Sequence, residues 1–201
     1  MALTPLAITV LALLNERDMH PYEMFQVLVQ RRADRLVKLR PGSLYHTVDR
    51  LDRDQLVRVV GTARDGNRPE RTLYAVTAAG RAALEHRVAE MLGTPVREYP
   101  QLPLALAEAH NLDRDAVIRL LSDRIGPLEV ELDELDAIRD SHVSSGRPRV
   151  FWFAVDYLRA MVETEIGWLR TTLAEVEDGD LPWTSPDLFA PEPLPTQPAR
   201  G

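Results

Sequence analysis

Over the first ninety positions, apolar residues recur at helical spacing in four stretches, and two runs of β-branched and aromatic residues separate the last two. Leu6, Val10, Leu13 and Leu14 form a broad stripe behind Thr4 and Pro5, an N-cap and first-position pair that predicts a helix to about Asn15. A turn is expected at residues 18–21. Pro21 then opens a second helix, with Tyr22, Phe25, Leu28 and Val29 as its expected buried face and Arg31, Arg32 and Arg35 crowding its far end. A brief extended segment at 36–39 leads into residues 39–56. There Pro41 suits a first helical position, Ser43 can satisfy free N–H groups, and Leu44, Val48 and Leu51 fall on one stripe. At about 100° per residue the opposite face of this third helix carries Gly42, His46, Asp49, Arg50 and Arg53, flanked by Ser43 and Tyr45.

Residues 56–60 and 72–76 read as two strands of a hairpin, with Asp65, Gly66 and Asn67 supplying the turn and Arg64, Arg68 and Arg71 on or beside the tip. Thr77 caps a fourth helix over 78–92, with Leu84, Val88 and Met91 as its stripe. Helix, helix, short extended segment, helix and two-stranded wing is the order of a winged helix-turn-helix, whose third helix enters the major groove. Each signal alone has a plain reading as solvated surface; their order gives them weight.

Gly93, Thr94, Pro95, Pro100 and Pro103 then punctuate the chain. A short apolar helix is expected at 104–109 and a long one from Asp113, where Ile118, Leu121, Ile125, Leu128, Leu132 and Leu135 recur at alternating steps of three and four. Gly126-Pro127 predicts a kink or a break near Ile125. After a loop at 144–146, Pro148 opens a last helix to about Glu177, with Val155, Leu158, Val162, Ile166, Leu169, Leu173 and Val176 on one face. These seams suit a homodimer, and an intramolecular two-helix hairpin would satisfy them nearly as well. From Gly179 the chain has six prolines in 23 residues and reads as an extended tail, with Trp183, Leu188 and Phe189 able to dock it locally. The expected fold is mainly α: a winged helix-turn-helix DNA-binding domain at 1–93, a helical dimerisation domain at 94–178 and a Pro-rich tail at 179–201.

Composition changes this picture little and charge changes it more. With 201 residues, 45% of them hydrophobic, the chain can build real cores, and the lack of cysteine excludes disulfides and thiolate chemistry and fits a reducing cytoplasm. The apolar start lacks a basic leader, and no segment reaches the length of a membrane span. The net charge of −7 divides into +3 over residues 1–93 and −10 over 94–201, and residues 31–71 alone carry +5. A basic segment around the third helix points to a polyanion. The five histidines show no ligand or catalytic spacing, and there is no phosphate loop, so no enzyme and no cofactor is expected. Ser43, Tyr45, His46 and Arg50 are the candidates for groove contacts, with Lys38, Arg40, Arg64, Arg68 and Arg71 for phosphates or the minor groove.

G-S-L-Y-H-T-V-D-R-L-D-R-D-Q-L-V followed by R-x-x-Y-A-V-T-A-A-G-R resembles the PadR family of transcriptional regulators, in which a G-S-L-Y recognition helix leads into a wing closed by a tyrosine and a T-x-x-G turn. The matching residues are Gly42, Ser43, Leu44, Tyr45, Leu51, Leu56, Tyr74, Thr77 and Gly80, and L-A-L-L-N-E-R-D-M-H-P-Y-E-M resembles the family's first helix and turn. The chain departs from the family where His46 replaces a frequent proline and Pro21 a frequent glycine, which makes His46 the position at which base preference should differ. Y-L-R-A-M-V-E-T-E-I-G-W-L resembles more loosely the helical C-terminal domain that the family uses to dimerise. The resemblance implies a homodimeric repressor on a palindromic double-stranded operator, relieved in some members by a small aromatic effector. An effector pocket would draw on Trp152, Tyr157 or Trp168, residues that could equally fill a dimer core. The competing reading is a winged module that binds another protein and no operator.

Overall fold

The computed structural model describes residues 3–63 and 71–183, with residues 63 and 71 described by their backbone alone. The chain divides into two compact units, Met1–Arg97 and Glu98–Gly201.

In the first unit, α1 (Pro5–Glu16) starts where Thr4 accepts a hydrogen bond from the Ala7 N–H, and the whole expected stripe of Leu6, Val10, Leu13 and Leu14 is buried. α2 (Pro21–Gln30) is capped by His20, whose Nδ1 accepts from the Glu23 N–H. Its inner face differs from the expected one: Met24 and Leu28 are buried, while Tyr22 and Val29 are 46% and 47% exposed. Leu28 is common to both possible stripes; Met24 joins it in the core, and Phe25 packs against that core. The extended segment expected at 36–39 is also corrected, since a 3₁₀ turn at Ala33–Arg35 comes first and no strand follows it. α3 (Pro41–Arg53) buries Leu44, Val48 and Leu51 as its pattern requires, together with Thr47, whose hydroxyl donates to the Ser43 carbonyl at 2.8 Å. Ser43 does not cap the helix; Arg40 holds the N-cap position without a side-chain bond.

The wing is an antiparallel pair, β1 (Val57–Ala63) and β2 (Arg71–Val76), with Val57 opposite Val76 and a bulge between Val59 and Gly61. Met19, expected in a plain turn, exchanges both main-chain bonds with Tyr74 at 3.0–3.1 Å and so extends the sheet by one rung on its other edge. α4 (Ala78–Gly93) begins at Thr77, which accepts from the Gly80 N–H and donates toward the Gln55 and Leu56 carbonyls. Gly80 is required here, because a Cβ would stand 2.0 Å from the Leu56 carbonyl oxygen. Leu84 joins the core, whereas Val88 and Met91 of the same expected stripe are exposed.

In the second unit, α5 (Gln101–Ala107) and a 3₁₀ turn at Ala109–Asn111 precede α6 (Arg114–Ser144), capped by Asp113. α6 passes through Pro127 as one helix of 31 residues, so of the expected kink or break, the break does not occur. Both of its halves are held against α7 (Phe153–Asp178), through Arg124 to Glu165, Glu129 to Arg170 and Asp136 to Arg159. α7 opens at Phe153, after a 3₁₀ turn at Arg149–Phe151, and not at Pro148. Val117 and Leu121 of α6 cluster with Leu169 and Leu173 of α7, so the α6 seam is closed within one chain. Two ties clamp the open ends of this hairpin. Arg114 donates to the last carbonyls of α7 at Val176 and Glu177, and the Trp183 indole donates to the Leu112 carbonyl at 2.8 Å. Leu188 and Phe189 lie outside the described residues. No helix among the described residues is long and apolar enough to cross a membrane.

Candidate nucleic-acid interface

α3 is an amphipathic helix whose buried leucine stripe leaves the rest of its surface to solvent. Along its first two turns Gly42, Ser43, Tyr45 and His46 are all exposed, and Lys38 and Arg40 stand exposed on the segment leading into them. A hydroxyl, a phenol and an imidazole close together, with two cations beside them, can meet base edges and phosphates at once. The second half of α3 is different in kind. It carries the Asp49 and Asp52 carboxylates, which would repel a phosphate backbone; burial first, and then these carboxylates, push the neighbouring Tyr74 phenol above its ordinary pKa. The surface of α3 suited to a duplex is therefore its N-terminal half.

Arg50 sits differently from the other candidates. It is half-buried, and its Nη2 donates to the Thr4 hydroxyl at 3.0 Å, tying α3 to the N-cap of α1. Arg53 folds back on its own helix, with Nε donating to the Asp49 carbonyl at 3.3 Å. Arg31 pairs with both carboxylate oxygens of Glu16, at 2.5 and 2.7 Å, which explains one of the cations at the end of α2 by the fold alone. Arg64 and Arg68 lie outside the described residues; the backbone of Arg71 pairs with Ala63 at the outer end of the wing. Two groups were not on the candidate list. Arg58 is exposed on β1, as strand alternation beside buried Val57 would give. Tyr22 stacks on His20 with ring centroids 6.0 Å apart and accepts from Gln26 at 2.9 Å; its apolar ring had marked it for the core.

In the second unit the three aromatic candidates separate. Tyr157 and Trp168 line one open groove of ≈ 500 Å³ with Leu102, Leu106, Met161 and Thr164. Trp152 is not among its walls: the indole donates to the Arg147 carbonyl at 3.0 Å and stacks on His142, closing the turn between α6 and α7. Two acidic residues of α6, Glu129 and Asp136, pair with Arg170 and Arg159 of α7, the latter at 2.6 Å.

Residues 10–86, which span α1 to the first half of α4, match the transcriptional regulator PadR-like family. Over this domain the chain is similar to the PadR-like family. That is a family of regulators and not of enzymes. No curated protein matches the sequence. Among solved structures, the chain is similar to Bacillus subtilis PadR in complex with operator DNA, at 16% identity and a TM-score of 0.73, covering 85% of this chain and 98% of that one. It is similar to the same PadR in complex with p-coumaric acid, at 14% identity and a TM-score of 0.70, covering 88% and 99%. The Vibrio cholerae virulence activator AphA is also similar, at 15% identity and a TM-score of 0.54, covering 86% and 94%. At such identities the likeness establishes a shared fold: winged N-terminal helices followed by long C-terminal ones. Within this PadR-like domain the T-x-x-G motif acquires a physical reason, since Thr77 caps α4 and Gly80 lets that helix meet the carbonyl of Leu56.

Proposed function

We propose that this PadR-family DNA-binding regulator is a homodimeric repressor that acts in the cytoplasm on a near-palindromic operator. The observation that carries the reading is the exposed first half of α3, where Ser43, Tyr45 and His46 stand together beside Lys38 and Arg40 on a helix whose other face is wholly committed to the core. Ser43, Tyr45 and His46 take the base edges; Lys38, Arg40 and the wing arginines Arg64, Arg68 and Arg71 take the backbone or minor groove; Arg50, bonded to Thr4, holds α3 in register for them.

The dimer follows from α7. One face of that helix is spent on α6, yet Phe153, Tyr157, Met161 and Trp168 form a second, exposed apolar stripe, and the small residues Ala160, Thr164, Gly167, Thr171 and Ala174 run exposed beside it. A second copy of the same helix suits such a surface, with the large side chains of one chain seated over the small ones of the other. Repression then needs nothing beyond occupancy of the operator.

The experiment is a titration of DNA fragments recovered from a genomic pool by the full chain, repeated across salt concentrations. A steep negative dependence of affinity on salt supports the reading, whereas a chain that retains no duplex is a protein-interaction module. Relief by an aromatic effector is a second reading favoured by the Tyr157–Trp168 groove, which has the size of a small-ligand site. Saturable quenching of tryptophan fluorescence by p-coumaric acid, lost in Trp168→Leu, would support it; no saturable change leaves the groove to the dimer.

A further inference from the structure

Gly42 and Gly80 belong to the same winged motif and answer to different demands. At Gly80 an added Cβ would collide with the backbone, so the fold itself asks for glycine. At Gly42 an added Cβ would meet nothing within 4 Å, and the residue has ordinary helical geometry. Glycine weakens a helix relative to alanine, through the backbone freedom it gives up on folding. Gly42 is the second residue of α3, and neither packing nor backbone conformation there calls for a glycine. Its surroundings are the cations Lys38 and Arg40 on one side and Ser43, Tyr45 and His46 on the other, all exposed.

We infer that Gly42 keeps this part of α3 bare so that the sugar–phosphate backbone of a duplex passes closer to the helix main chain than a Cβ would permit, which makes Gly42 a determinant of DNA affinity. The inference rests on the reading of α3 as the DNA-facing helix. It has an unusual signature, because the substitution that harms binding should leave the fold intact or strengthen it.

The test compares wild type, Gly42→Ala and Gly42→Leu as full chains. Each is melted alone and then titrated with a duplex that the wild type recovers from genomic fragments, at several salt concentrations. The melting temperatures of both variants should equal or exceed that of the wild type. The dissociation constant should rise about tenfold for alanine and further for leucine, with an unchanged salt slope because no cation is lost. An alanine variant that binds as tightly as wild type overturns the inference and leaves the DNA reading standing. Weaker binding accompanied by a lower melting temperature also overturns it, since the role would then be structural. A wild-type chain that recovers no duplex overturns the DNA reading and the inference with it.

Discussion

Thr77 and Gly80 bind three elements together with a handful of atoms. The Thr77 hydroxyl accepts from the Gly80 N–H, its N–H donates to the Leu56 carbonyl at 3.0 Å, and Gly80 lies against that same carbonyl. Gly80→Ala should therefore cost about 1–3 kcal/mol through overpacking, read as a lower urea midpoint at an unchanged m-value. The two residues were legible in the sequence as a motif; the reason for the glycine was not, because nothing local to residue 80 announces Leu56. A second prediction concerns Asp136, whose carboxyl the hydrogen-bonded Arg159 guanidinium holds below the usual aspartate range. A depressed aspartate pKa contributes stability above its unfolded value, near 3.8, and loses it as pH falls through the folded value. Asp136→Asn should thus lie below wild type in urea midpoint at pH 7, with the gap closing as pH drops below 3.8; the pair is partly open to solvent, so the gap is small.

At the scale of elements, caps and apolar stripes were the readable part. Thr4, Thr77 and Asp113 each start the helix that the sequence assigns to them. Where a segment carries more apolar residues than one stripe needs, the pattern leaves open which face turns inward. Tyr22 and Val29 show this in α2, and the second stripe of α7 shows it again. Pro127 is the opposite case, a strong local signal for a break inside a helix that runs on. Pro127→Ala restores a donor and removes the ring from a continuous helix, so it should stabilise the chain by up to about 3 kcal/mol, seen as a raised urea midpoint. An unchanged or lowered midpoint would mean that α6 has adapted to the proline. The Met19 rung was invisible to pattern reading, because a single residue pairing with a distant strand has no periodicity.

For the molecule as a whole, the division of charge anticipated the division of labour: the basic segment surrounds α3, and the acidic half is laced into its own helix pair. The C-terminal seams close within the chain, through α6 and the inner face of α7, and the outer face of α7 is proposed for a second copy. Gly167→Leu would fill the small-residue stripe of α7, where an added Cβ meets nothing within the chain. It should shift sedimentation from dimer to monomer without lowering the urea midpoint, and a variant that stays dimeric would place the interface elsewhere.

The central claim, two α3 helices reading one operator, is tested most directly by hydroxyl-radical footprinting on a duplex recovered by the full chain. The account predicts two protected half-sites whose centres lie about 10–10.5 base pairs, or roughly 34–36 Å, apart, both weakened when Tyr45 and His46 are replaced by alanine. A single protected patch, or protection indifferent to those two residues, would contradict it.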